Sequence, residues 1–383
     1  MTLAYYLDNL NPFLLRFGHS SFGVRWYGLA YLTGFIVAYF LLKYLIRQGQ
    51  LQVPADKLPD FVLTVAIFGV LLGGRLGEVF FYEPHLMWTF GPPFPYWGVL
   101  QLQEGGMSAH GGIIGVLLAV WFFARRNQYS FLNLGDSVCM VAPIGILFGR
   151  IANFINGEVY GHVAHVWWAV QFPTEIYEPP QLKIERHVSM AKVGRLIQEE
   201  SVHNPATARL LRRDPLHGIV RLAREGHPFV IAQMHKILPP RYPSQLIESF
   251  CEGLLLFIIC WNIGRRWRKP GMAVGAFITI YPVMRIIGEQ FRAGDNPQKI
   301  FGHYFSLGEI YSAPMFVIGL IFWIYMARRP VKPAAALAGN GDGLPGVGGN
   351  DAVAAAALSN GGAGVANPAD GDTSGAPSGK IKT

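Results

Sequence analysis

Long apolar runs, separated by shorter polar stretches, dominate the pattern along this chain. A helix needs about 20 mostly apolar residues to cross a bilayer, and seven runs have this length or come close to it. They cover roughly residues 24–46, 61–82, 107–124, 131–154, 244–263, 272–291 and 307–327. The pattern therefore predicts an all-α integral membrane protein with seven transmembrane helices.

Basic residues cluster at the ends of these runs, and their distribution predicts the orientation of the chain. In the short connections and flanks, twelve Lys and Arg residues fall on one side of the membrane and four on the other. Cytoplasmic loops carry the excess of Lys and Arg, so we expect the N terminus outside and the C terminus in the cytoplasm. The net charge of +8 follows from this topology, and we expect no nucleic-acid partner.

The polar stretches divide the chain into four predicted parts. Residues 1–156 carry the first four spans, with an N-terminal segment and an outer interfacial arm at 83–106 that is rich in proline and aromatic residues. Residues 157–243 form a small outer, periplasmic head domain, with helices that start at Ser189, Asn204 and Asp214. Residues 244–330 carry the last three spans. Residues 331–383 lack an apolar period and are predicted to be a disordered cytoplasmic tail.

Polar residues of six spans are predicted to share the outer layer of the membrane. Neighbouring spans run in opposite directions, so residues early in inward spans and late in outward spans reach the same depth. Charge inside a bilayer is costly, which makes such a layer a candidate functional site. Its members are Tyr27, Arg75, Glu78, His110, Arg150, Asn153, Asn156, Ser244, Gln245, Glu248, Arg285, Glu289 and Arg292.

The arginines of this layer indicate the kind of ligand. Arg75, Arg150 and Arg285 would suit an anion with several oxygens, because guanidinium groups match phosphate geometry, and phospholipid headgroups supply phosphate at this depth. Glu289 lies four residues after Arg285, on the same helical face, and is expected to orient it. Arg292 has an alternative explanation, since a long side chain near a helix end can snorkel to the headgroups.

His110 is a candidate general base or substrate contact, because nearby arginines would make its proton easy to lose. The alternative is a hydrogen-bonded packing residue. His162 and His165 are three residues apart, but no carboxylate or cysteine completes a ligand set, so we predict no metal and no cofactor. The three cysteines lie within apolar runs and are expected to be packing residues.

Six motifs, in order and at the expected helix ends, resemble those of the prolipoprotein diacylglyceryl transferase family. The resemblance covers residues 11–329, while the stretch 174–236 looks longer and more charged than is usual in the family, and the tail after 330 has no counterpart. The motifs are Val24-Arg25-Trp26-Tyr27-Gly28, Gly73-Gly74-Arg75-Leu76-Gly77, Met107-Ser108-Ala109-His110-Gly111-Gly112, the signature from Gly149 and Arg150 to Gly161, Arg241-Tyr242-Pro243-Ser244-Gln245-Leu246 and Arg285-Ile286-Ile287-Gly288-Glu289-Gln290-Phe291-Arg292.

The resemblance implies a reaction in which an sn-1,2-diacylglyceryl group moves from phosphatidylglycerol to the thiol of a lipobox cysteine in a prolipoprotein signal peptide. The product is a thioether, and glycerol 1-phosphate leaves. It also implies a monomer in the bacterial inner membrane, with the site toward the periplasmic leaflet. The implied catalytic residues are Arg150, Arg285 and His110, and the implied phosphatidylglycerol contacts are Arg150, Tyr27, Asn153, Asn156, Glu158, Gly161, Arg285, Glu289 and Arg75.

Two rival functions remain at this stage. A transporter of a small anion would need polar residues along a path to both sides and internal repeats, and the sequence shows neither. An intramembrane protease would use Ser108 and His110, but residues two apart do not share a helical face.

Overall fold

The computed structural model describes residues 5–16, 23–92, 95–101, 106–177, 188–293, 298–300 and 303–330. The predicted tail at 331–383 lies outside the described residues, as do parts of the predicted arm and of the charged stretch at 174–236.

The described part of the chain is mostly helical and contains seven helices that are long and apolar enough to span a membrane, as the sequence predicts. Span 2 begins at residue 58, three residues before the predicted apolar run. In chain order, spans 1 to 7 are Trp26–Arg47, Leu58–Phe81, Ala109–Asn127, Phe131–Asn156, Ser244–Arg266, Met272–Glu289 and Leu307–Arg328.

Span 4 is the central helix of the bundle, since it packs against spans 1, 5 and 6. The outward faces of several spans carry large exposed apolar side chains, such as Phe40, Leu118 and Ile321. A water-soluble protein would bury such residues, so this surface is suited to lipid. Spans 2 and 5 each contain a π-helical stretch, Thr64–Leu72 and Ser249–Leu255.

Spans 2 and 3 approach each other through glycine. A Cβ atom built on Gly73 would lie 2.8 Å from the Cα atom of Gly115, and one built on Gly77 would lie 2.9 Å from the backbone nitrogen of Gly111. Real Cβ atoms do not come this close to backbone atoms, so only glycine permits the contact. Small residues of this kind let membrane helices pack backbone to backbone.

The segment between spans 4 and 5, residues 157–243, contains four described helices with a shared apolar core, and we call it the head segment. Its helices are Met190–His203, Pro205–Arg213, Pro215–Arg224 and Pro228–Ile237. The three predicted helix starts are confirmed. The fourth was not predicted, because His227 precedes it in place of a Ser, Thr, Asn or Asp cap.

Short strands depart from the all-α prediction. Tyr6–Leu7 pairs in parallel with Val170–Gln171, Phe13–Arg16 pairs antiparallel with Gly23–Arg25, and Gln298–Ile300 pairs with His303–Phe305. Strands of two to four residues are too short to show an alternating pattern in the sequence. The first of these pairs ties the N-terminal segment to the head segment.

Candidate functional site

Two glutamates from span 5 lie at the centre of a charged cluster. The side chain of Glu248 is 0% exposed and that of Glu252 is 1% exposed. Arg150 of span 4 places its Nε atom 3.0 Å from Glu248 Oε2, and Arg285 of span 6 places Nη1 3.2 Å from Glu252 Oε1. Glu252 lies within the π-helical stretch and, like Glu248, contacts both Arg150 and Arg285.

Further ion pairs connect the cluster. Arg150 Nη2 lies 3.6 Å from Glu252 Oε2, and Arg285 Nη1 lies 3.5 Å from Glu248 Oε1. The predicted pair along span 6 is confirmed, with Arg285 Nη2 3.0 Å from Glu289 Oε2. Arg292 also belongs to the cluster, because its Nη1 lies 3.9 Å from Glu248 Oε1.

The glutamates neutralise the arginines, yet the arginines remain on the more accessible side of the cluster. The side chains of Arg150 and Arg285 are 19% and 14% exposed, whereas the two glutamates of span 5 are closed off from solvent. Among the described residues, Nη1 of Arg150 takes part in neither an ion pair nor a hydrogen bond. A guanidinium that is fixed on one edge by carboxylates and open on the other can bind an anion.

Glu158 is the centre of a second polar cluster, just after span 4. Its Oε1 accepts hydrogen bonds from Asn153 Nδ2 at 2.9 Å and from Asn156 Nδ2 at 3.1 Å. Tyr27 of span 1 lies near the Asn153 and Glu158 side chains. Span 1 and the end of span 4 therefore bring four of the predicted substrate contacts together. Asn153 follows Arg150 by three residues on the same helix, which joins the two clusters.

Gly161 lies where the chain leaves this cluster for the head segment. Its N–H donates to the Tyr242 carbonyl at 2.9 Å, and its own carbonyl accepts from Arg241 Nη1 at 3.0 Å. A Cβ atom here would overlap the Phe291 carbonyl oxygen. The structure therefore assigns Gly161 a close backbone approach between three segments, and its predicted contact with substrate remains a prediction.

His110 begins span 3 and is exposed. Its Nδ1 lies 3.3 Å from the Tyr82 hydroxyl, and its ring meets that of Tyr311 edge-on at 5.7 Å between centroids. No described arginine is among its contacts. Nearby, Ser108 caps span 3, since its hydroxyl accepts from the Gly111 N–H at 3.2 Å.

Arg75 is buried and binds the arm rather than the cluster around Arg150. Its Nε donates to the Val99 carbonyl at 2.8 Å and its Nη2 to the Gly98 carbonyl at 2.6 Å. Nη1 donates to the Gly106 carbonyl at 3.1 Å. These contacts tie the described part of the arm to span 2, and the predicted anion contact of Arg75 remains a prediction.

Sequence reasoning missed Glu252 and gave Glu248 no role beyond its place in the polar layer. A signal was present, since two carboxylates four residues apart interrupt an otherwise apolar span. Their arginine partners lie on other spans, so the distance between residues along the sequence does not reveal which residues pair.

Seven candidate spans around buried ion pairs define a multi-pass membrane protein with a charged site at one end of its helix bundle. A family model described as prolipoprotein diacylglyceryl transferase matches residues 12–325. The chain therefore belongs to the prolipoprotein diacylglyceryl transferase family, which confirms the resemblance carried by the motifs, and it is a transferase.

Curated relatives agree along almost their whole lengths. A protein of Bdellovibrio bacteriovorus is 38% identical over 333 residues, which cover 84% of this chain and 94% of the relative. One of Geobacter sulfurreducens is 34% identical over 325 residues, covering 85% and 98%. One of Neisseria meningitidis is 34% identical over 321 residues, covering 83% and 96%. Each is named phosphatidylglycerol–prolipoprotein diacylglyceryl transferase, and none is named a transporter.

Proposed function

We propose that this protein transfers the sn-1,2-diacylglyceryl group of phosphatidylglycerol to the thiol of a lipobox cysteine in a prolipoprotein signal peptide. The cysteine sulfur forms a bond with the carbon of the diacylglyceryl group that carries the phosphate, and the bond between that carbon and the phosphate oxygen breaks. The products are a thioether and glycerol 1-phosphate. The proposal rests on the pair Arg150 and Arg285. Buried glutamates contact one side of each guanidinium group, and the other side is accessible.

The arginines act on the phosphate. Glu248 and Glu252 fix the two guanidinium groups, so their remaining N–H groups are oriented before the lipid binds. Negative charge grows on the phosphate as the carbon–oxygen bond breaks, and preoriented donors stabilise that charge without reorganising. In this proposal, Arg150 and Arg285 bind the phosphodiester and stabilise the leaving glycerol 1-phosphate.

The cluster around Glu158 positions the headgroup. The terminal glycerol of phosphatidylglycerol carries hydroxyls that donate to carboxylates and accept from amides and phenols. Glu158, Asn153, Asn156 and Tyr27 supply those partners within a few ångströms of one another. Binding the headgroup on one side of the phosphate leaves the diacylglyceryl carbon free for attack from the other.

His110 is the proposed base that takes the thiol proton. A free thiol has a pKa of about 8.5, and the thiolate is the nucleophile. The imidazole is exposed and has the Tyr82 hydroxyl beside Nδ1, which leaves Nε2 available to a substrate. The role predicts that His110→Gln lowers turnover and changes its dependence on pH, and an unchanged pH–rate profile would contradict it.

The proposed setting is the bacterial inner membrane, with the protein as a monomer. The excess of Lys and Arg at the ends of spans 1, 3, 5 and 7 favours a cytoplasmic C terminus. The charged cluster would then face the periplasmic leaflet, and the head segment would lie in the periplasm.

The test combines purified protein, phosphatidylglycerol vesicles and a peptide with a lipobox cysteine. Mass spectrometry should detect the diacylglyceryl thioether. Arg150→Ala and Arg285→Ala should abolish turnover, whereas Arg221→Gln, which changes a partly exposed arginine of the head segment, should keep it. Folded wild-type protein that makes no thioether would refute the proposal, and a thioether would exclude both the transporter and the protease.

A further inference from the structure

Four consecutive carbonyl groups, from the last residue of span 4 onward, each accept a hydrogen bond from a side chain elsewhere in the chain. They belong to residues 156–159, which we call the signature turn. The donors are Arg224 Nη2 to Asn156 at 2.8 Å, Thr174 Oγ1 to Gly157, Gln245 Nε2 to Glu158 at 2.7 Å and Ser244 Oγ to Val159 at 2.9 Å.

The signature turn has a backbone that it would not adopt unaided. Gly157 has a φ of 72° and Val159 a φ of 60°. Such a φ is uncommon for a β-branched residue. It persists only where the surroundings hold the backbone in place, and such strain is concentrated at functional sites. The four side-chain donors provide that restraint.

Two of the donors, Ser244 and Gln245, begin span 5 within a motif of the family resemblance. Arg224 lies outside those motifs. It ends a helix of the head segment, Pro215–Arg224, within the stretch 174–236. A cation that donates to a carbonyl at the C-terminal end of a helix is favoured by the helix dipole. Arg224 therefore stabilises the end of span 4 at the point where the substrate contacts begin.

Asn156 connects this contact to the site. Its Nδ2 donates to Glu158, while its Oδ1 is buried and has no hydrogen-bond partner among the described residues. A buried acceptor without a donor costs free energy unless a ligand supplies one. A glycerol hydroxyl of the headgroup is a donor of the right kind. Moving the Asn156 backbone would displace both the amide and the Glu158 carboxylate.

We propose that Arg224 is a positioning residue for the phosphatidylglycerol headgroup, through which the head segment sets the geometry of the signature turn. The inference rests on the proposed function. Arg224 does not touch the substrate; it fixes the Asn156 carbonyl, and the turn then aims the Asn156 amide and the Glu158 carboxylate. Its loss should weaken headgroup binding much more than it affects the peptide substrate.

The experiment measures steady-state kinetics of Arg224→Gln, Arg224→Lys and the matched control Arg221→Gln, with each substrate varied in turn. Arg221 lies one turn earlier on the same helix and pairs at the surface with Glu225. Loss of a charge-assisted hydrogen bond at the turn should raise the KM for phosphatidylglycerol about tenfold. The KM for the peptide should change by less than about twofold, and Arg224→Lys should recover part of the loss.

The outcomes separate this inference from the proposed function. If the wild type makes no thioether, the proposed function fails and this inference with it. If the wild type is active and Arg224→Gln matches Arg221→Gln, only this inference fails. Equal loss for both substrates, with a lowered unfolding temperature and no recovery in Arg224→Lys, would show a purely structural role and also overturn it. Arg224→Lys, which keeps the charge, serves as the test variant if Arg224→Gln does not fold.

Discussion

Arg150 of span 4 and Glu248 of span 5 form an ion pair, with 3.0 Å between Nε and Oε2, in which the glutamate side chain is closed off from solvent. Breaking a buried pair by removing one partner is far more costly than removing a surface pair, because the other charge stays behind without compensation. Glu248 also lies within ion-pair distance of Arg285 and Arg292. Three arginines of the described cluster therefore share this carboxylate.

This sharing predicts a rank order for two substitutions. Glu248→Gln should lower turnover more than Glu252→Gln, because Glu248 lies within ion-pair distance of three arginines, whereas the described ion pairs of Glu252 are with Arg150 and Arg285. We expect a fall of at least about tenfold for Glu252→Gln, since buried charges rely on their partners for orientation. Product formation by mass spectrometry measures both. Glu225→Gln, at an exposed carboxylate, is the control, and a larger effect for Glu252→Gln than for Glu248→Gln would contradict the ranking.

Neighbouring glycines on span 3 offer a second test, of helix packing. A Cβ atom on Gly111 would meet the backbone of Gly73 and Gly77, while one on Gly112 would have nothing within 4 Å. Gly111→Ala should therefore separate spans 2 and 3 and cost about 1–3 kcal/mol, as overpacking does. Gly112→Ala should be neutral. Thermal unfolding in micelles compares them, and equal midpoints would rule out the close approach.

A third prediction concerns the stability of the start of span 6, which Asp136 of span 4 contacts. Its carboxylate accepts from the Gly271 N–H at 2.6 Å and from the Val274 N–H at 2.9 Å, and so caps a helix that has no cap of its own. Asp136→Ala leaves those donors without a partner and should cost about 1–3 kcal/mol. The measurement is again thermal unfolding, with the exposed Asp56→Ala as the control. If the two variants unfold alike, the cap does not stabilise span 6.

The sequence predicted well those features that depend on spacing along one helix. The seven spans follow from apolar runs of bilayer length. The pair of Arg285 and Glu289 follows from a separation of four residues on one face, and it is present at 3.0 Å. The placement of Tyr27, Asn153 and Asn156 in one layer follows from the depth of each residue within its span, whereas Glu158 was expected only from the family resemblance.

Features that depend on how helices rotate against each other could not be predicted in the same way. The pairing of Arg150 with Glu248 joins spans that are about ninety residues apart in sequence, and many rotations of the two helices would satisfy the same apolar pattern. Arg75 binds backbone carbonyls of the arm, which carry no side-chain signature. The contact of Arg224 with Asn156 required the fold of the whole head segment.

Asp8, in the N-terminal segment beside the signature turn, predicts a pH dependence of stability. Burial raises its pKa to about 7, although the Leu10 N–H and the charge of Arg224 act in the opposite direction. The folded protein then binds the proton more tightly than the unfolded chain, whose pKa is near 3.8. The contribution of Asp8 to the free energy of unfolding should be greatest below about pH 4. This contribution should be lost as the pH rises toward 7, at about 1.4 kcal/mol per pH unit.

Asp8→Asn isolates this contribution, because an amide does not ionise. We expect the unfolding temperature of the wild type to fall between pH 5 and pH 8, and that of the variant to fall less. At pH 8 the variant should therefore unfold at the higher temperature. Thermal unfolding at the two pH values measures the difference. Asp56→Asn, at an exposed aspartate, should follow the wild type. If Asp8→Asn instead keeps the full pH dependence, the ionisation of Asp8 is not linked to folding.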